Sequence, residues 1–379
     1  MFRSRFFSTA GEKVAKLLAA GEDELRREKF DAAVALFSEA AEEAEHAERG
    51  ERLSLTTRVQ NRLGYGWAAV GEAERAKAAF RRGGEAAREA GEAEALASAL
   101  VNEAAVEAGE GEEGVARALG RVREARKIRE GRMAATAPAV LDVVLDEARL
   151  MAMAGEENRG LVEEALEKSE AVEEEEVAAH LKRRALGMLV ESAVRGGWRL
   201  DEKRLREAEA GDEELQRMAA TYLVGQKQPG EAVLLLRKME QTMEVMTQTG
   251  MLLMASNREE EAREVLEKAL REAEKQLGNT SVGLAKPLWL LAQSNVKRHP
   301  QEAQKQLLRV LELVKKQQGQ EEFAARITHQ LAAVSLAQGL PNQTTFYLRQ
   351  ALRLAEACGD AALVEAIGRD LNTPIKKKQ

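Results

Sequence analysis

The stretch NRLGYGWAAVGEAERAKAAF, residues 61–80, decides how the whole chain is to be read. Leu63, Gly64 and Trp67 share one face of a 3.6-residue helix. Val70-Gly71-Glu72 then makes a turn, and Ala76, Phe80 and Gly83 share one face of a second helix. Small residues at 64, 76 and 83 let two antiparallel helix backbones approach closely, with Trp67 and Phe80 filling the space around them. The spacing predicts that Gly64 and Ala76 meet at the helix crossing.

The same register recurs along the chain. Twelve residues separate Gly64 from Ala76, and twelve separate Gly21 from Ala33, Ala220 from Ala232, Gly250 from Ala262, and Ala332 from Thr344. Four and seven residues beyond the second member stand Phe37 and Ala40, Leu236 and Met239, Leu266 and Ala269, and Leu348 and Ala351. Proline supports the register independently, because it is tolerated in the first turn of a helix and destabilises the interior. Pro229, Pro300 and Pro341 each stand three residues before the second small position, at Ala232, Ala303 and Thr344. Positions 33 and 76 lie 43 residues apart, and 262, 303 and 344 follow at intervals of 41.

Leu-Gly-x-x-aromatic followed by Ala-x-x-x-Phe at this offset resembles the tetratricopeptide repeat. The longer period is similar to that of the kinesin light chain type, with each helix about a turn longer. The resemblance implies an all-α fold, a right-handed α-solenoid of about nine antiparallel helix pairs from residue 11 to 358. A capping helix over 360–371 closes it, so that the array spans 11–372, with 373–379 a short basic tail. Between about 95 and 215 the register is harder to hold: ALVNEAAVEAGEGEEGVARALGRV and VLDEARLMAMAGEENRGLVEEAL read as hairpins, and EVAAHLKRRALGMLVESAVRGG as the first helix of a fifth pair, without the full motif. The array is either one superhelix or two halves joined near 170–215.

Composition agrees with an all-helical chain. Its 379 residues carry 32% charged side chains of both signs, 4% aromatics, six prolines and a net charge of −7. An acidic, salt-bridge-laced surface argues against direct nucleic-acid binding. Apolar runs such as AVLDVVL, 139–145, fall short of a membrane span, so membrane association would be peripheral and through a partner. The single cysteine, Cys358, has no internal disulfide partner. MFRSRFFSTA, with Arg3, Arg5 and no acid before Glu12, has the basic, acid-poor composition of a transit peptide. Residues 1–10 read as a mitochondrial presequence, with a plastid one, or a ragged helix start in a cytoplasmic protein, as the alternatives. The expected location is the mitochondrial matrix or inner-membrane surface.

No catalytic, cofactor or metal site is expected. GEGEEG, 109–114, matches a dinucleotide loop in letters, yet an alanine-rich helix precedes it and Glu110, Glu112 and Glu113 would repel phosphate. His46, His180, His299 and His329 stand apart from one another and from any ligand pattern. The acidic run EAVEEEE, 170–176, reads as a solvated loop more readily than as a lure for a basic partner.

A repeat array of this kind works by binding: first helices line a concave surface that takes a peptide or partner helix. Chaperone-binding relatives hold a terminal carboxylate with lysine and asparagine on the first helix, where this chain has Leu18 and Glu22, so that clamp is absent from the first repeat. The inward positions farther along are Arg58, Asn61 and Tyr65; Arg217 and Thr221; Thr247, Met251 and Met254; and Arg326 and His329. Met251 and Met254 would suit an adaptable apolar groove, whereas Met239 and Met246 fall at core positions. The expected function is a non-enzymatic scaffold or assembly factor for a polypeptide, for example in respiratory-complex assembly. The alternative is a helical-repeat component of the mitochondrial ribosome or RNA-processing machinery.

Overall fold

The computed structural model describes residues 10–372 apart from 316 and 318. Most of the presequence, residues 1–9, and the whole basic tail, 373–379, lie outside the described residues. Among the described residues the chain forms nineteen α-helices, one short 3-10 turn and no strand. It divides into two compact units, the first ending at Gly196 and the second beginning at Gly197.

The first unit contains α1 (Ala10–Arg26), α2 (Phe30–Glu45), α3 (Arg49–Val70), α4 (Ala73–Ala90), α5 (Ala93–Glu107), α6 (Gly111–Glu130), α7 (Pro138–Met153), α8 (Arg159–Ser169) and α9 (Glu175–Gly196). The second contains α10 (Glu202–Glu209), α11 (Glu213–Gly225), α12 (Pro229–Lys238), α13 (Met243–Ala255), α14 (Glu259–Leu277), α15 (Ala285–Asn295), α16 (Pro300–Val314), α17 (Glu321–Ala337), α18 (Pro341–Cys358) and α19 (Ala361–Asn372). Each unit is an α-solenoid of successive helix hairpins. Eight hairpins are complete, four in each unit; α9 closes the first unit, α10 opens the second, and α19 caps α18. The fifth pair of the expected nine is thus divided by the unit boundary.

The small residues leave room at the crossing, and a large side chain of the second helix fills it. A Cβ on Gly64 would come within 2.5 Å of the Phe80 ring, and one on Gly250 within 2.5 Å of Leu266. Gly21 faces the ring of Phe37 in the same way. The glycine therefore lies against the side chain of the residue sixteen positions on. Long side chains on a helix lean toward its N-terminus, so the Phe80 ring covers the turn at Ala76 where α3 crosses. Ala33, Ala76, Ala232, Ala262 and Ala303 are all fully buried. Trp67 also departs from expectation: it is half-buried, and the Arg75 guanidinium lies 4.7 Å over its ring.

Five of the eight hairpin turns repeat a single backbone feature. Two residues before the second helix, Glu28, Gly71, Lys227, Asn257 and Gly339 all have φ between 57° and 87°. At Gly71 the left-handed turn lets Glu72 N–H reach back to the Trp67 carbonyl at 2.9 Å, satisfying an otherwise orphaned group at the end of α3. Pro229, Pro300 and Pro341 open α12, α16 and α18, where a missing N–H costs nothing.

In the stretch where the sequence register fades, charge joins the helices alongside an apolar core that includes Leu100, Leu119, Val122 and Val143. Glu103 and Glu107 on α5 are each 2% exposed. Glu103 accepts from Arg81 on α4 at 2.8 Å and from Arg121 on α6 at 2.9 Å, while Glu107 accepts from Arg121 at 2.8 Å. Glu110, in the GEGEEG turn, is held by Lys77 and, at 2.7 Å, by Arg117. Glu147 on α7, 6% exposed, accepts from Arg123 at 2.9 Å and Arg126 at 3.1 Å on α6. Close approach of α5 and α6 survives at Gly114, whose Cα faces the Glu107 carbonyl with no room for a side chain.

Candidate functional site

In the first unit the first helices α1, α3 and α5 lie side by side and bound a groove of ≈ 520 Å³. Its floor is small and apolar, with Ala15, Leu18 and Ala19 from α1 and Ala95 from α5. Small side chains on helices leave room for another backbone to come close. Polar groups sit around this floor. Arg62 Nε pairs with Glu22 Oε1 at 2.7 Å, tying α3 to α1. Tyr65 Oη donates to Asn102 Oδ1 at 2.7 Å, tying α3 to α5. The Tyr65 ring stands edge-on to Phe80, centroids 5.4 Å apart at 85°, so the groove wall is continuous with the hairpin core.

Three of the residues expected to face inward, Arg58, Asn61 and Tyr65, come together here. Arg58 is exposed and, among the described residues, has no hydrogen-bond or ion-pair partner. Asn61 turns its Oδ1 in toward Gly83, without a donor. The groove therefore offers a free guanidinium, an amide, a hydroxyl and apolar side chains, with no metal-ligand cluster among the described residues. Asn102 and Ser98 belong to the same groove and went unseen in the sequence. The available signal was spacing: Asn102 stands 41 residues after Asn61, the period of the array itself.

The inward positions of the second unit do not assemble into a comparable site. Arg217 is paired with Glu213 at 3.7 Å, and the Thr221 hydroxyl donates to the Arg217 carbonyl at 3.0 Å. Met251 is 41% exposed and Met254 half-buried, whereas Met239 and Met246 are core. Thr247 is not a groove residue: it is 5% exposed, and its hydroxyl donates to the Met243 carbonyl at 2.6 Å, which lets a threonine be buried in a helix without an orphaned group. Arg326 and His329 are not free for a ligand either. Arg326 pairs with Glu322 at 2.9 Å and with Asp360 at 3.0 Å; His329 meets Asp370 on α19 at 2.7 Å. These two side chains fasten the capping helix to α17.

No family model matches the chain, and no curated protein matches it. Among solved structures, the apo form of the quorum sensor NprR from B. thuringiensis is similar over 90% of this chain and 87% of its own, at 12% identity and a TM-score of 0.46. A signal transduction ATPase with numerous domains, carrying a tetratricopeptide repeat sensor, from Pyrococcus horikoshii is similar over 79% of this chain and 41% of its own, at 15% identity and a TM-score of 0.49. A tetratricopeptide repeat protein from Parabacteroides merdae is similar over 74% of this chain and 99% of its own, at 15% identity and a TM-score of 0.44. The internal geometry carries the assignment: small residues on one helix facing a large one sixteen positions on, a fixed left-handed turn, and hairpins stacked in order. Each unit is thus an α-solenoid of antiparallel helix hairpins stacked in order.

Proposed function

We propose that the protein is a non-enzymatic interaction scaffold that holds an extended polypeptide segment in the groove between α1, α3 and α5. The observation that carries this reading is the unpartnered Arg58 beside an apolar, small-residue floor. Arg58 would receive an acidic group of the segment, while Asn61, Tyr65 and Asn102 exchange hydrogen bonds with its backbone. A charge-assisted bond of this kind is stronger than a neutral one and sets the direction in which the segment lies. The test replaces Ala95 with a photo-crosslinking amino acid and asks for a polypeptide adduct in cells. We expect an adduct that Arg58→Glu abolishes while the melting temperature stays unchanged; an adduct indifferent to Arg58→Glu, or none at all, overturns the reading.

The working place we propose is the mitochondrion, in the matrix or at the inner membrane, as an assembly factor. The basic composition of residues 1–10 supports this, with Arg3 and Arg5 supplying the positive charge that an amphipathic presequence requires. A fluorescent fusion should lose mitochondrial signal when both arginines become glutamate. Retained signal would count against an address in this segment.

A further inference from the structure

We propose that α18 carries a second docking surface, separate from the groove, that takes an acidic amphipathic helix of a partner protein. The face in question consists of Asn342, Thr345, Phe346, Arg349, Gln350 and Arg353, around a shallow concavity of ≈ 530 Å³. Asn342, Phe346, Arg349 and Arg353 fall at i, i+4, i+7 and i+11, a single stripe along the helix. The opposite face of α18, with Leu348, Ala351 and Ala355, is buried in the core beneath α19.

Two features make this stripe unlike an ordinary solvated face. Phe346 is 62% exposed, more than any other large hydrophobic side chain among the described residues. Its ring is held in place by Tyr347, edge to face with centroids 5.4 Å apart, and Tyr347 itself packs into the core. A ring fixed in this way loses little side-chain freedom on binding, which is the property of an aromatic anchor. The second feature is charge. Most arginines of the chain are in ion pairs, yet Arg349 and Arg353 have no hydrogen-bond or ion-pair partner among the described residues. From 341 to 355 the sequence PNQTTFYLRQALRLA contains no acidic residue, and Glu356, the first acid of α18, makes no ion pair with Arg353 among the described residues.

The occupant follows from that complementarity. An apolar anchor followed by two cations one helical turn apart matches a helix with an apolar stripe to receive Phe346 and carboxylates alongside it. Nucleic acid is disfavoured as the occupant because two unpaired arginines on a chain of net charge −7 release few counterions. A membrane surface is disfavoured because one exposed ring buries too little apolar area to anchor a chain.

The test uses the full chain and a defined probe: a fluorescent 16-residue helix-forming peptide with leucine at i, i+4, i+7 and i+11 and glutamate on both flanks. The control is the same peptide with lysine for glutamate. We expect the acidic peptide to bind, weaken with added salt, and lose affinity at least tenfold in Arg349→Glu/Arg353→Glu and in Phe346→Ser. All three positions are exposed, so melting temperatures should stay at the wild-type value, and Arg58→Glu should leave this binding intact. That last arm separates failure here from failure of the α1–α3–α5 groove. Equal binding of the acidic and basic peptides would overturn the proposal, as would affinity unchanged in both variants. Capture by anionic phospholipid vesicles with no binding of the acidic peptide would assign the surface to a membrane and overturn it as well.

Discussion

The hairpin α3–α4 and the neighbouring hairpin α5–α6 have the same architecture but hold it together by different means. In the first, Gly64 lies under the ring of Phe80, and the contact is entirely apolar. In the second, α5 turns two buried carboxylates, Glu103 and Glu107, toward arginines of both flanking helices. The apolar joint connects two helices; the charged one connects three, because Arg81 comes from α4 and Arg121 from α6. A helical repeat can thus add a satisfied ionic clamp to its close packing, provided every buried oxygen finds a donor.

The most damaging change should be Phe80→Ala. It removes a fully buried ring from the α3–α4 crossing, and large-to-small replacements of this kind cost about 3–5 kcal/mol. Denaturant unfolding of the first unit's signal would show it; a loss below about 1 kcal/mol would mean that Phe80 is not the crossing residue. Arg121→Met comes next. It leaves Glu103 and Glu107 buried with only the partly exposed Arg81 and Arg117 as partners, and stranding a buried charge costs on the order of 3 kcal/mol. Adding Glu103→Leu and Glu107→Leu to that variant should restore much of the loss, since a well-packed apolar set can replace an ionic one. No recovery in the triple variant would show that the clamp does more than satisfy its own charges.

A smaller effect of opposite sign is expected at Lys227, a non-glycine residue with φ of 61°. Left-handed backbone costs an L-residue roughly 1 kcal/mol, so Lys227→Gly should be neutral or stabilising by up to about that amount. A destabilised variant would mean that the lysine side chain contributes more than its backbone costs.

The least change should come from pH acting on Lys77 and Glu110. The Lys77 ammonium bonded to Glu110 holds that carboxyl below its ordinary range, and Glu110, followed by Glu74, holds Lys77 above the usual lysine range. A lowered carboxylate contributes stability that is lost as pH falls through its folded value. A raised lysine contributes stability that is lost as pH rises through its own. The pair therefore supports the fold across neutral pH and fades only at the acid and alkaline extremes. Unfolding midpoints of Glu110→Gln and wild type should converge below the carboxylate range; a difference that persisted there would assign the effect to packing.

Much of the fold was legible because its marks are local. A twelve-residue offset between small residues needs only two helices of known period, and Pro229, Pro300 and Pro341 report helix starts directly. What could not be read was direction and pairing. Spacing places Gly64 and Ala76 at one crossing, whereas the lean of the Phe80 side chain decides which atoms lie nearest the glycine. The span from 95 to 215 was obscure because Glu103, Glu107 and Glu147 read as surface residues until their arginines, up to 24 positions away, are placed beside them. The groove was half legible: Arg58, Asn61 and Tyr65 followed from the template, while Asn102 needed the register that those carboxylates hide. Arg326 and His329 looked free because Asp360 and Asp370, which bind them, sit on a helix outside the repeat pattern.

The left-handed residue that stands before five of the second helices has a consequence for the size of the parts. Between such residues the chain measures 43 positions from Glu28 to Gly71, but only 30 from Lys227 to Asn257. The elbow angle is written in one backbone dihedral, so the arms on either side are free to differ in length without changing how they fold back. The short arm is eleven residues under the 41-residue period, and eleven residues make about three helical turns. Length in this chain is therefore an adjustable dimension, and a groove can be made deeper or shallower by adding or subtracting turns while the joints stay as they are.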